Sequence, residues 1–454
     1  MLDLRFVPTV TGAALLVLCI LSPAQAQTGA ATSKEDAAAN EHIIIKDMRA
    51  KRSRVRDFLS RHFGKGKGNR LDTTGSEVWS VPKGKSEWLT KRLEVLGAKV
   101  VRLRENWNHI LRRHKDAVAL TPAQQEMVNK VTKSPETMNV GMVSMPDPAV
   151  AELAMKRLEK QIGTKGRGGP TEDPYAKVVL PLSDGKDIIL VRTRPTDQTE
   201  GGFTWSGEVE DTGERAVLML WKDGHLSGYF GYKGRIFTVN HVGADVHIMA
   251  ELDPGKLPPD HAPGSGKSTD PTSRDIPAKP GPLVQPRAEP AVPPFRDADR
   301  QALEAKKITI DVMLLYTKNA ASHYIRDPGD LLALAIEQSN DTFRNSGLGN
   351  IQLRLVHSQL IDYDEAGADQ FAHLYRMVDG EGPFKDVKRL RNEKRADIVG
   401  LIVDDPSGCG LSTRVAADAD EAYFLVHHAC AAITYSIAHE VGHILGTRHD
   451  RAVD

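Results

Sequence analysis

The sequence predicts an α/β domain with a mixed, mostly parallel sheet at its C-terminal end, preceded by a mixed helical and antiparallel β region. Three observations carry this. From Ile308 onward, apolar strand-like runs alternate with helical stretches, the pattern of a parallel sheet. From Tyr175 to Leu252, seven short strand-like runs follow one another with turn residues between them. Between the two lies Pro254–Pro294, which holds 12 of the chain's 26 prolines and reads as an extended linker. The 454 residues exceed one comfortable domain. With 40% apolar and 26% charged residues the chain can build a sizeable core, which excludes wholesale disorder.

Met1–Ala26 combines Arg5, an apolar run over Thr11–Leu21 and Ala24-Gln25-Ala26, the three parts of a secretory signal peptide. The run is about half of the roughly 20 apolar residues that a bilayer span needs, so no membrane attachment is expected after signal removal. The expected location is secreted, extracellular or periplasmic. Removing Cys19 leaves Cys409 and Cys430. An even pair in an oxidising compartment suggests one disulfide, worth roughly 3 kcal/mol for a loop of about 20 residues. Two reduced buried thiols are the other reading.

Residues 27–165 form a basic region. Lys46–Arg70 carries ten basic and two acidic residues. It has few aromatics and no nucleic-acid-binding motif, so a solvated, partly helical segment is favoured and a nucleic-acid partner is not expected. Glu77–Arg104 reads strand, helix, strand, with Leu89, Leu93 and Leu96 on one helical face, and a further helix fits Pro148–Gln161. Residues 175–253 read as an antiparallel meander or small sandwich, with Asp223-Gly224 and Lys233-Gly234 at hairpin positions. No cluster of ligand-type side chains lies there, which points to binding and not to chemistry. The linker, 254–306, contains Gly264-Ser265-Gly266-Lys267-Ser268-Thr269. A phosphate loop needs glycine where His261 stands and a strand before it, so that reading is rejected.

Residues 307–454 begin with a buried strand, Ile308–Tyr316. A helix follows over Asp330–Asn345, with Asp330 as N-cap and Leu331, Leu334, Ala335 and Gln338 on one face. Next come strand Ile351–Leu360, charged helix Phe384–Arg395 and buried strand Asp397–Val403. Two short strands, Gly410–Val415 and Tyr423–Val426, precede a last helix over Ile433–Leu445.

That last helix carries chemistry. His439 and His443 are four residues apart and project from one face, so both imidazoles can bind one cation. Glu440 sits beside the first ligand and can reach a metal-held water as general base. Gly446 can take the left-handed conformation that stops the helix and lets His449 approach as a third ligand. Three neutral nitrogens favour Zn²⁺ and leave a position for water. With 16 His and 38 Gly in the chain, the full H-E-x-x-H-x-x-G-x-x-H pattern arises by chance on the order of 10⁻⁴ times per chain.

These residues resemble those of the metzincin zinc endopeptidases. Asp450 directly after His449 is similar to the adamalysin/reprolysin-like branch. Cys409-Gly410-Leu411, Cys430 and Tyr435-Ser436-Ile437-Ala438 most resemble the bacterial peptidyl-Asp metalloendopeptidases. The resemblance covers Ile308–Asp454 and, more loosely, the β-rich stretch, which is similar to reprolysin-type propeptides. It implies a secreted zymogen that cuts protein or peptide substrates. His439, His443 and His449 would hold zinc and Glu440 would be the catalytic base. Gly410–Val415, through Gly410, Leu411 and Arg414, would pair with an extended substrate. It further implies acidic residues after the cut, for which Arg414 and Arg448 are candidate cations. His323, His357, His373, His427 and His428 are expected to be ordinary surface or core histidines.

Residues 27–306 contain no cysteine that could block the zinc, so latency falls to another ligand or to steric cover, with Asp253–His261 as a candidate. The family's methionine turn would follow the third histidine, and the sequence ends at Asp454. The domain is therefore expected to be truncated, and an inert secreted binding protein is the alternative reading. The 60 basic and 60 acidic residues sum to zero, but 15 basic and 22 acidic residues lie from Lys307 onward, leaving 45 and 38 before it. A basic pro-region covering an acidic domain, its own partner, is the expected meaning of that split.

Overall fold

The computed structural model describes residues 41–46, 52–63, 68–71, 75–82, 84–102, 110–115, 119–145, 148–163, 176–198, 202–221, 224–262, 297–324 and 328–449. The signal-peptide reading, Asp223, the Gly264–Thr269 loop and Asp450 lie outside them.

The described chain contains three sheets. The first takes β1 (Glu41–Lys46), β2 (Gly68–Arg70), β3 (Glu77–Val81) and β4 (Lys99–Arg102) in the order β2-β3-β1-β4. Helices α1 (Arg52–Phe63) and α2 (Ser86–Val95) bury Val55, Leu59, Leu89 and Leu93 against Ile43, Ile45 and Trp79. The basic stretch is thus a packed helix that pairs Arg56 with Glu77 at 2.5 Å.

The second sheet is larger than the expected meander. Its ten strands are β5 (Arg112–Arg113), β6 (Thr137–Ser144), β7 (Lys177–Pro181), β8 (Asp187–Arg192), β9 (Asp197–Gln198), β10 (Gly202–Val209), β11 (Arg215–Trp221), β12 (Leu226–Tyr232), β13 (Arg235–His241) and β14 (Val246–Leu252). The path β5-β6-β14-β13-β12-β11-β10-β8-β7 curls until its ends meet: Arg113 donates to the Lys186 carbonyl and pairs with Asp187, both at 2.8 Å. Lys233 and Gly234 take φ of 55° and 75° between β12 and β13, as a tight hairpin requires. The boundary expected at 165–175 does not divide this sheet. Strand β6 pairs antiparallel with β14 across more than 100 residues of sequence, and α3 (Pro122–Lys133) packs beside it under a Thr121/Gln124 capping box. Helix α4 (Pro148–Gly163) bridges to the first sheet through Ala149, Val150 and Leu153.

Strand β11 reads as an unbroken apolar run because both its faces are buried. Ala216, Leu218 and Leu220 face the interior of the curled sheet, while Val217 and Met219 join the core of the C-terminal domain.

That domain holds α5 (Asp297–Glu304), β15 (Ile308–Thr317), α6 (Lys318–Ala321), α7 (Gly329–Asn345), β16 (Ile351–Ile361), α8 (Gln370–Asp379), α9 (Val387–Lys394), β17 (Ile398–Val403), β18 (Gly410–Ser412), β19 (Tyr423–His427) and α10 (Ser436–Ile444). Its sheet runs β16-β15-β17-β19-β18, parallel except for β18, which lies antiparallel to β19 at one edge. Four expectations need correction. Pro328, not Asp330, is the N-cap of α7, because the Asp330 carboxylate instead bonds His225 at 2.7 Å. The charged helix starts at Val387, since Phe384 closes a 3₁₀ turn and is buried. The last helix starts at Ser436, after Tyr435 with φ of 62°. The edge strand stops at Ser412.

Charge crosses the contact between the two halves. Asp341 on α7, nearly buried, is held by Arg194 and, at 3.0 Å, by Arg215; Arg194 also reaches Asn345 at 2.6 Å. Lys130 donates to the Ser322 carbonyl at 2.7 Å. No helix among the described residues is long and apolar enough to cross a membrane.

Candidate metal centre

Helix α10 turns His439 and His443 to one side, and Gly446 takes φ of 104° immediately after its end. The amide of Thr447 then donates back to Gly442. A Cβ on Gly442 would stand 2.8 Å from Thr447 Oγ1. This turn delivers His449. The Nε2 atoms of His439, His443 and His449 lie 3.0–3.1 Å apart. His443 Nδ1 donates to the Thr447 carbonyl at 3.0 Å, which leaves its Nε2 as the lone-pair nitrogen.

Glu440 is 1% exposed and lies under the edge strand, where a Cβ on Gly410 would stand 2.6 Å from its Oε1. Burial pushes its carboxyl up to about 8, with nearby Asp260 adding to the rise and Ser412 hydrogen bonds opposing it. Its Oε2 has no hydrogen-bond partner among the described residues. Burial first, then His443, His261 and His449, lowers His439 to about 4, so its ring is neutral at pH 7.

The donor set fits a cation. Facing Nε2 atoms cannot all donate to one another, and a tetrahedral ligand set at zinc–nitrogen lengths of about 2.0–2.1 Å spaces its nitrogens by about 3.3 Å. A cation here would also return Glu440 towards its ionised form.

A fourth histidine joins them. His261 Nε2 lies 3.0 Å from His449 Nε2, and the ligand atoms of all four histidines fall within 4.8 Å of one another. No local pattern marks His261, which stands 188 residues before its neighbour. Its only sequence signal was its place at the end of the segment suspected of covering the site.

The other expected residues are placed as follows. Gly410 and Leu411 lie on β18. Arg414 follows it, with Nε 2.7 Å from Glu421 and Nη2 3.4 Å from Asp418. Arg448 is exposed beside His449. Cys409 and Cys430 form a disulfide, Cα atoms 5.4 Å apart, which ties the start of β18 to the approach to α10. Of the remaining histidines, His357 sits near Gln359 and His373 bonds Tyr363 at 2.7 Å. His323 and His428 were not expected to meet, yet both contact Asp404, at 3.0 and 3.3 Å. Burial works to raise Asp404, but hydrogen bonds from both histidines outweigh it and hold the carboxyl well below its usual range.

Comparison with known proteins adds to this geometry. A family model described as metallo-peptidase family M12 matches residues 306–454. A peptidyl-Asp metalloendopeptidase of Xanthomonas campestris pv. campestris is 27% identical over 345 residues, 74% of each chain. Its namesake from Stenotrophomonas maltophilia is 26% identical over 289 residues, 60% of this chain and 63% of that one. Metalloproteinase-II from Bacteroides fragilis covers 60% of this chain and 81% of its own at 12% identity and a TM-score of 0.34, a likeness too loose to bear on the fold.

Proposed function

We propose that this chain, whose residues 306–454 match the family M12 metallo-peptidase model, is a metalloendopeptidase made as an exported zymogen whose ion is zinc. The observation that carries the proposal is the convergence of the Nε2 atoms of His439, His443 and His449 beside the buried carboxylate of Glu440. Zinc held there would polarise a scissile carbonyl and lower the pKa of a water. Glu440 would serve there as the base that accepts a proton from the water and returns it to the leaving amine. The edge β18, through Gly410 and Leu411, pairs with an extended peptide.

A preference for acidic residues after the cut is supported by the names of the relatives. Arg414 spends its charge on Glu421 and Asp418, so Arg448 is the better-placed cation. Residues 27–253 act as the pro-region, docked through Arg194, Arg215 and His225 on Asp341 and Asp330. Cleavage in the linker 254–306 begins maturation.

The test is proteolysis of a denatured protein by secreted, linker-cleaved material. Cleavage should be lost on chelation and restored by zinc, and Glu440→Gln should abolish it. A Glu440→Gln protein with full activity would sink the mechanism.

A further inference from the structure

We infer that His261 is a fourth protein ligand to the zinc of the intact chain, and that residues 259–261 hold the place on β18 that an extended substrate takes. This rests on the zinc reading above and extends it to a residue outside the H-E-x-x-H-x-x-G-x-x-H motif.

Four observations converge. His261 Nε2 stands 3.0 Å from His449 Nε2, and its ring centroid lies 5.5 Å from that of His439 and 4.9 Å from that of His449. Its ring is oriented from behind, since Nδ1 donates to the Gly410 carbonyl at 3.1 Å. That is the arrangement of a metal-ligating imidazole, whose second nitrogen donates to a backbone oxygen and so fixes the tautomer.

The backbone on either side is laid along the edge strand. The amide of Cys409 donates to the Pro259 carbonyl at 2.7 Å, and that of Gly410 donates to the Asp260 carbonyl at 3.1 Å. A peptide substrate would need such main-chain donors for itself. Finally, Gly408 makes room for the passage: a Cβ there would meet Ala262 N at 2.4 Å and His261 C at 2.7 Å.

The segment is also held at its origin. It leaves β14, at Leu252, through a short 3₁₀ turn capped by Asp253, whose side chain accepts from the Gly255 amide at 3.0 Å. His261 is therefore delivered by the curled sheet, and that sheet is docked on α7 through Asp341. Three histidines leave a catalytic zinc one open position, and a fourth closes it. Cutting the chain after Ala262 would not vacate the site by itself. The N-terminal half must also come away.

Cobalt(II) substitution of the intact, full-length chain tests this, read by visible absorption and X-ray absorption, with acetohydroxamate as the probe of an open position. Wild type should show four nitrogen ligands and a spectrum insensitive to acetohydroxamate. His261→Ala should keep the metal, lose one nitrogen and bind acetohydroxamate at least about tenfold tighter, because the open state is no longer a minor population. Gly408→Ala, which presses on the backbone of Ala262 and His261 and leaves every imidazole in the sequence, should change the spectrum in the same direction. A His261→Ala spectrum identical to wild type, with metal bound in both, overturns the inference and leaves the zinc reading standing. Failure of wild type to bind the metal overturns both.

Discussion

Replacing Gly410 with alanine should separate the position of Glu440 from the stability of the domain. The added Cβ would stand 2.6 Å from Glu440 Oε1, 2.9 Å from its Cγ and 3.0 Å from its Cδ. Ordinary carbon contacts begin near 3.5 Å, so the carboxylate must retreat by a little under ~1 Å. Glu440 is 1% exposed. Overpacking of this kind costs about 1–3 kcal/mol, and each kcal/mol lowers the melting temperature of a domain this size by about 2–4 °C. A catalytic group displaced by ~1 Å costs about 10²-fold in rate. The assay is kcat and KM of linker-cleaved protein on a peptide, beside thermal melting of the intact chain. Gly400→Ala is the control: its Cβ would meet Phe424 Cζ at 2.3 Å and Leu314 Cδ2 at 2.7 Å, in the core of the sheet. It should melt earlier without a matching loss of kcat in the folded fraction. A Gly410→Ala protein that melts like wild type and keeps kcat within about threefold would refute the reasoning.

Asp341→Ala should weaken the complex of the two halves after linker cleavage. Asp341 is nearly buried, while Arg194 and Arg215 are 37% and 41% exposed, so the loss is about 2 kcal/mol, or about 30-fold in Kd, and the salt dependence flattens. Sedimentation across a salt series reads both, and an unchanged Kd contradicts it. Stability should fall with acidification. Burial, with His428 adding to it, pushes His427 down to about 3 against a usual value near 6.5. The unfolded chain binds a proton that the native chain refuses, so stability is lost as pH falls from 6.5 towards 3, at up to about 1.4 kcal/mol per pH unit. His427→Leu should flatten that slope in denaturant melts, and an unaltered slope between pH 6.5 and 4 would count against it.

What the sequence disclosed follows from where information sits along the chain. Strands β7, β8 and β10 to β14 of the curled sheet, and those of the C-terminal sheet, were legible because their runs are apolar and bounded by turn residues. The three motif histidines were legible because one helix and one glycine turn bring them together. Strand β6 was not, because TMNVGMVS is interrupted by Asn139 and Gly141 and gains its pairing only from β14, over a long separation. Helix α8 was missed although Asp369 caps it, its carboxylate accepting from the Ala372 amide at 2.8 Å, and Gly380 ends it at φ of 71°. The helix start at Ser436 was misplaced because Thr434 turns its hydroxyl onto the Cys430 carbonyl at 2.8 Å, holding a local turn before the left-handed Tyr435. His261 could not be placed by any local pattern. Its partners are set by how the curled sheet docks, a tertiary fact.

The central claim is that His439, His443 and His449 form one zinc site. Zinc content of the purified chain, by elemental mass spectrometry after exhaustive dialysis, tests it most directly. One zinc per chain is expected for wild type, and close to none for a His439→Ala/His443→Ala protein whose circular dichroism matches wild type. Zinc retained at one per chain in that variant, or absent from wild type offered the metal, would contradict the account.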